Sequence, residues 1–141
     1  MAYLWVMLGS AIGGGLRYAI GRWMLALGSG FPYGTLLINV VGSFVIGYFG
    51  TLTLQSGKYA ASSNLRLFVM VGFCGGFTTF SSFSLQTFDS MRAGAWGRVV
   101  ANVVLSVVLC VAAVAAGHLL AQRSVGDVVA VAETAEEEFT G

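Results

Sequence analysis

The sequence predicts an all-α membrane protein of four transmembrane helices, the third broken at its centre. Three observations predict this. The composition is 57% hydrophobic and only 9% charged, with a mean hydropathy of +0.83, whereas a soluble domain carries about 25% charged residues to face water. The few charges are unevenly placed: residues 1–123 hold every Lys and Arg but a single acid, Asp89, and the other five acids follow Arg123. Finally, the 141 residues divide into four apolar runs, each near the roughly 20 residues that a spanning helix needs. A soluble enzyme, a disordered chain and a coiled coil are excluded, and no length remains for an ATP-binding domain. The basic residues are scattered singly between the runs, so nucleic acid is not an expected partner.

Span one is read over Tyr3–Leu27. It is rich in glycine (Gly9, Gly13, Gly14, Gly15, Gly21) and carries Arg17 and Arg22 toward its end. The opening Met-Ala-Tyr-Leu-Trp lacks a basic segment and a small-residue cleavage pattern, so it reads as the start of that span. Gly28–Tyr33, with the only proline, Pro32, is a turn. Span two is the uncharged run Gly34–Leu54. Gln55–Asn64, with Lys58, is a loop, and Leu65–Met91 is span three. Arg92–Arg98 is a polar connector, and Val99–Ala121 is span four. Residues 1–123 thus form the transmembrane domain, and 124–141 form an acidic tail predicted to be disordered. With four spans, Lys58, Arg66 and Arg123 fall on one side of the membrane and Arg22, Arg92 and Arg98 on the other. Three against three gives the Lys/Arg rule no preferred orientation.

The segment Gly72-Phe73-Cys74-Gly75-Gly76-Phe77-Thr78-Thr79-Phe80-Ser81-Ser82-Phe83-Ser84 lies at the centre of span three. Adjacent glycines followed by two threonines are poor helix formers, which predicts a break. Non-helical backbone is tolerated at membrane depth only where protein or a water-filled cavity satisfies it, and unwound carbonyls coordinate alkali cations in transporters. The alternative is a plain glycine kink packed on a neighbour. Polar residues recur at helical spacing elsewhere: Thr35, Asn39 and Ser43 on span two, Asn102, Ser106 and Cys110 on span four, and Gly9, Gly13 and Arg17 on span one. Small and hydroxyl residues of this kind also simply glue helices together. The two asparagine amides are costlier to bury without a purpose.

No acid lies within the spans except Asp89 near an end, so a proton-coupled or cation-exporting pump lacks its intramembrane carboxylate. The available groups are donors: the Asn39 amide, the hydroxyls of Thr35, Thr79, Ser81, Ser84 and Ser106, and ring edges. Phe80 and Phe83 are three apart on one helix face, and a phenyl edge carries positive quadrupole charge. Such a path suits a small anion, with Arg17 raising its concentration at a mouth. Ordinary core or lipid packing is the competing role of the phenylalanines.

These residues resemble the Fluc (CrcB) fluoride channels of bacteria over roughly Leu8–Leu120. The resemblance rests on Gly13-Gly14-Gly15-Leu16-Arg17-Tyr18, on Gly34-Thr35-Leu36-Leu37-Ile38-Asn39-Val40-Val41-Gly42-Ser43-Phe44, on the Gly72–Ser84 segment, and on Asn102 with Ser106. It implies a passive channel in the inner membrane of a bacterial cell that lets cytoplasmic fluoride out and needs no enzymatic chemistry. It further implies an antiparallel dual-topology homodimer with two pores and one structural Na⁺ at its centre. By position, Gly75 and Thr78 match the residues that give backbone carbonyls to Na⁺. Phe80 and Phe83 match the ring-edge ladder, Asn39 the pore amide, Ser106 a pore hydroxyl and Arg17 the vestibule arginine. Thr79, beside the ladder, is counted with the pore donors. Because the Na⁺ ligands are backbone atoms, a Cβ at Gly75 is expected to disturb the turn. Gln86 departs from the family, where many members have a glutamate. The rival classes are a small multidrug exporter, which needs a glutamate in span one where Tyr3–Leu27 has none, and a non-transporting membrane subunit.

Overall fold

The structure is a computed structural model. It describes the backbone of residues 1–26, 30–54 and 61–140, and the side chains of 1–26, 30–53 and 61–124. Helix α1 spans Ala2–Ala26 and α2 spans Tyr33–Leu54. After Ser62, whose hydroxyl accepts from Leu65 N and caps the next helix, come the single turn α3 (Ser63–Arg66), a π-helix (Leu67–Cys74) and the short α4 (Gly75–Phe77). Helix α5 covers Phe80–Arg92 and α6 covers Trp96–Thr140. Residue 27 at the end of predicted span one, residues 28–29 of the predicted first turn and 55–60 of the predicted loop, Lys58 among them, lie outside the described residues.

Among the described residues three stretches are long and apolar enough to cross a membrane: Tyr33–Thr53, Ser63–Arg92 and Trp96–Ser124. Helix α1 is not among them. Its 25 residues give it a length of about 37 Å at 1.5 Å per residue, but its five glycines and two arginines dilute its apolar character. Helix α6 runs past the predicted end of span four, and its backbone stays helical to Thr140, where composition predicted disorder. The segment after Gly126 has no further glycine or proline until the last residue and is rich in Ala and Glu, both strong helix formers.

Two glycine seams hold the helices together. A Cβ on Gly9 would lie 2.3 Å from Phe68 O, one on Gly13 2.3 Å from Phe73 O, and one on Gly76 2.6 Å from Ser10 O. Helix α1 therefore lies backbone to backbone against the π-helix and α4, as small residues at four-residue spacing allow. The same device joins α2 to α6, where a Cβ on Gly47 would lie 2.4 Å from Val114 O and one on Gly117 2.4 Å from Phe44 O. The His118 ring meets Thr51 Oγ1 at 2.7 Å across this second seam.

The interruption in the third stretch falls at Thr78 (φ −75°, ψ 159°) and Thr79 (φ −151°, ψ 107°), both extended. The sequence assigns the break to the adjacent glycines and the two threonines after them; only the threonines leave the helix, and Gly75 itself is helical, with φ −65° and ψ −36°. Two local hydrogen bonds explain the difference. Thr78 N still donates to Cys74 O at 2.9 Å and keeps the helix going, whereas Thr79 Oγ1 accepts from Ser82 N at 3.1 Å and starts a new one as an N-cap.

Candidate functional site

Both extended residues need partners for their backbone groups, and α2 supplies one side chain that satisfies two of them. Thr79 N donates to Asn39 Oδ1 at 2.8 Å, and Asn39 Nδ2 donates to Thr79 O at 3.2 Å. In a continuous helix Thr79 N would donate to Gly75 O. The Asn39 clamp therefore diverts that donor and takes from the Gly75 carbonyl its helical partner. One Nδ2 proton is used in the clamp; the second remains for the cavity that Asn39 lines.

That cavity, of about 500 Å³, is an open groove on the face formed by α2, the interrupted stretch and α6. Asn39, Gly75, Thr78, Thr79, Phe80, Phe83 and Ser106 all line it. The Phe80 and Phe83 rings lie 5.4 Å apart between centroids, inclined at 43°. Phe80 is 79% exposed in the single chain, and Phe83 is partly buried. The Thr79 hydroxyl is occupied: besides capping α5, it donates to Ser82 Oγ at 2.9 Å. Thr78 Oγ1 turns back to Cys74 O at 2.9 Å, so its carbonyl, not its hydroxyl, is the group left over.

Arg17 is not in the groove. It lines a second cavity of about 390 Å³ with Arg22, Tyr18, Thr35, Ser82 and Gln86. Its Nε is buried without a hydrogen-bond partner, and so is Gln86 Oε1. A buried, unpaired donor and acceptor in one cavity mark a place that a small polar occupant completes. Thr79 lines both cavities and joins them. The polar stripe on α2 is divided in the same way, with Thr35 in the arginine cavity and Asn39 and Ser43 in the groove.

Two contributions escaped the sequence reading. Gly42 lines the groove, and a Cβ there would lie 2.3 Å from Thr78 Cγ2, so Gly42 makes room for the extended threonine. Its position three residues after Asn39 on the same face was the available signal. At Gly75, by contrast, a Cβ meets nothing within 4 Å. The expectation that a side chain there disturbs the turn is therefore corrected for the single chain: the residue is helical and its Cβ direction is open. Thr87 is buried beneath Phe83 and donates to Phe83 O at 2.7 Å. Among the described residues no cluster of His, Cys, Asp or Glu could hold a metal ion.

A bundle of long apolar helices with an interrupted stretch and an uncharged, ring-lined groove defines a multi-pass membrane protein. The family model described as CrcB-like protein, Camphor Resistance (CrcB), matches residues 4–118. A protein of Methylobacterium radiotolerans named fluoride-specific ion channel FluC is 55% identical over 133 residues, covering 94% of this chain and 93% of the relative. One of the same name from Gluconobacter oxydans is 53% identical over 134 residues, with 94% and 93% covered. A third, fluoride-specific ion channel FluC 1 of Bradyrhizobium diazoefficiens, is 47% identical over 123 residues, with 87% and 86% covered. The chain belongs to the CrcB family.

Proposed function

We propose that this protein is a passive, fluoride-selective anion channel that lets cytoplasmic fluoride leave the cell and so relieves its toxicity. The observation that carries the reading is the groove. Donor groups and ring edges, drawn from three stretches of chain far apart in sequence, face one cavity that contains no acidic side chain. Phe80 and Phe83 present ring edges, Asn39 its second Nδ2 proton and Ser106 its hydroxyl, while Thr79 joins this path to the mouth where Arg17 concentrates anions. A small anion passing such groups is stabilised by dipoles without meeting a fixed charge that would trap it. The names of the relatives point to the same ion.

In this reading α1 is the fourth span, and two copies pair antiparallel, so that the exposed Phe80 of each completes a pore with the other. Such pairing requires a chain without orientation bias. It is supported by the placement of two arginines: the Arg98 guanidinium lies 3.3 Å from the Cβ position of Gly30, near the start of α2, while Arg66 Nη1 donates to Thr53 Oγ1 near that helix's other end. The carbonyls of Gly75 and Thr78 from both copies would hold a structural Na⁺ on the twofold axis. The donor set fits. The Asn39 clamp diverts the helical partner of the Gly75 carbonyl, the Cβ direction of Gly75 is open, and neutral oxygens without a carboxylate suit a monovalent cation better than Mg²⁺, which is bound through carboxylates and waters. When bound, the ion supplies positive charge where the helix ends at Phe77, against the negative end of its dipole.

Fluoride efflux from liposomes tests the function. With a K⁺ gradient and valinomycin, the reconstituted protein is expected to release F⁻ and to leave Cl⁻ and a cationic dye inside. Dye efflux would favour the multidrug exporter, and no flux would favour a non-transporting subunit.

A further inference from the structure

Beneath the groove runs a hydrogen-bonded chain whose proton order can be worked out link by link. The Thr87 hydroxyl has one proton, and it goes to Phe83 O at 2.7 Å. Thr87 Oγ1 can then only accept from Asn102, 2.8 Å away, which fixes the amide with Nδ2 toward Thr87. Asn102 Oδ1 is thereby turned toward Ser106, whose hydroxyl donates to it across 3.5 Å. That last link is long for an O–H···O bond, which prefers about 2.7–2.8 Å, so the serine proton is only loosely held. Asn102 (3% exposed) and Thr87 (7%) are buried, and neither lines the groove or the arginine cavity; Ser106 does line the groove.

We propose that Asn102 is a positioning residue for the anion path: locked by Thr87, its amide parks the Ser106 proton on a weak acceptor from which an arriving anion can take it. This inference rests on the fluoride-channel reading and adds a residue to it. With the amide fixed, the serine hydroxyl turns into the groove by breaking one long bond, and no backbone group moves. The same network ties the Phe83 carbonyl to α6, so the hydroxyl and the ring on either side of the groove keep a constant separation. Without the lock the amide is free to rotate. Nδ2 would then face Ser106, the hydroxyl would become an acceptor, and its oxygen lone pairs would point at the anion's path.

The test is a double-mutant cycle in liposome flux, read as half-saturating F⁻ concentration against maximal rate, with dimer recovery on size-exclusion chromatography as the control for folding. Thr87→Val keeps the shape of the side chain but removes the lock. It is expected to raise half-saturating F⁻ severalfold, up to about tenfold, the scale of one ordinary hydrogen bond. Thr87→Ser restores the hydroxyl and should restore the wild-type value. Combined with Ser106→Ala, Thr87→Val should add nothing further, because the group through which it acts is gone. Multiplying effects in the double variant, or a Thr87→Ser that fails as Thr87→Val does, would overturn the positioning role while leaving a conducting wild type. A wild-type protein without F⁻ flux would instead overturn the channel reading, and this inference with it.

Discussion

The two cavities that meet at Thr79 are built on opposite principles. The smaller holds fixed positive charge, with Arg17 and Arg22 in its wall and a buried Arg17 Nε lacking a partner. The larger has no charged side chain among its lining residues, which include the rings of Phe80 and Phe83, the Asn39 amide and the Ser106 hydroxyl. Charge acts at a distance and raises the local concentration of an anion, but it also holds what it attracts. Dipoles act only at contact and let go. In the proposed channel, a charged mouth and an uncharged path would divide the labour that rapid passage of an anion needs.

Changes in the uncharged groove should have the largest effects. Phe80→Ile and Phe83→Ile keep bulk and apolarity but lose the ring edge, and each is expected to lower F⁻ flux by more than tenfold with the dimer intact on size-exclusion chromatography. Wild-type flux in both would reduce the rings to packing and dissolve the contrast between the cavities. Next in size is Asn39→Leu, which strands Thr79 N and O. Each buried group left without a partner costs about 1–3 kcal/mol, so a clear drop in melting temperature should accompany lost flux.

A pair of glycine variants sharpens the picture of the break. Gly42→Val must push a methyl into Thr78 and should cost about 1–3 kcal/mol by overpacking. Gly75→Ala meets open space in the single chain, and its effect should appear in dimer recovery and not in the melting temperature of the protomer. Equal effects of the two would mean that the turn, and not its neighbours, dictates glycine. The smallest change is expected at the mouth. Arg17→Gln should lower flux only a few-fold, with the deficit shrinking as salt screens the charge over a Debye length of about 10 Å at 0.1 M. A loss as deep as that of the phenylalanine variants would make Arg17 part of the path itself.

The boundaries of the first two helices were legible in the sequence because apolar runs and their punctuation are local. Tyr3–Leu27 and Gly34–Leu54 differ from the observed helices by a residue at each end or less. That Phe80 and Phe83 face one way was legible for the same reason. The exact place of the break was not. It depends on an asparagine 40 residues away that accepts from Thr79 N, and no reading of local propensity contains that bond. The split of the polar stripe at Thr35, Asn39 and Ser43 between two cavities was hidden too, since equal spacing on a helix says nothing about what packs opposite each turn. Thr87 was missed because a lone threonine near the end of a span looks like many others, and its worth lies in where its single proton goes.

The most direct test of the account is the reversal potential of the current carried by the purified protein in a planar bilayer. With unequal F⁻ and an opposing Na⁺ gradient, the account predicts a reversal at the F⁻ equilibrium potential whatever the Na⁺ gradient, because the uncharged groove passes the anion alone. A reversal potential that moves with Na⁺ would mean coupled transport and would contradict the channel mechanism.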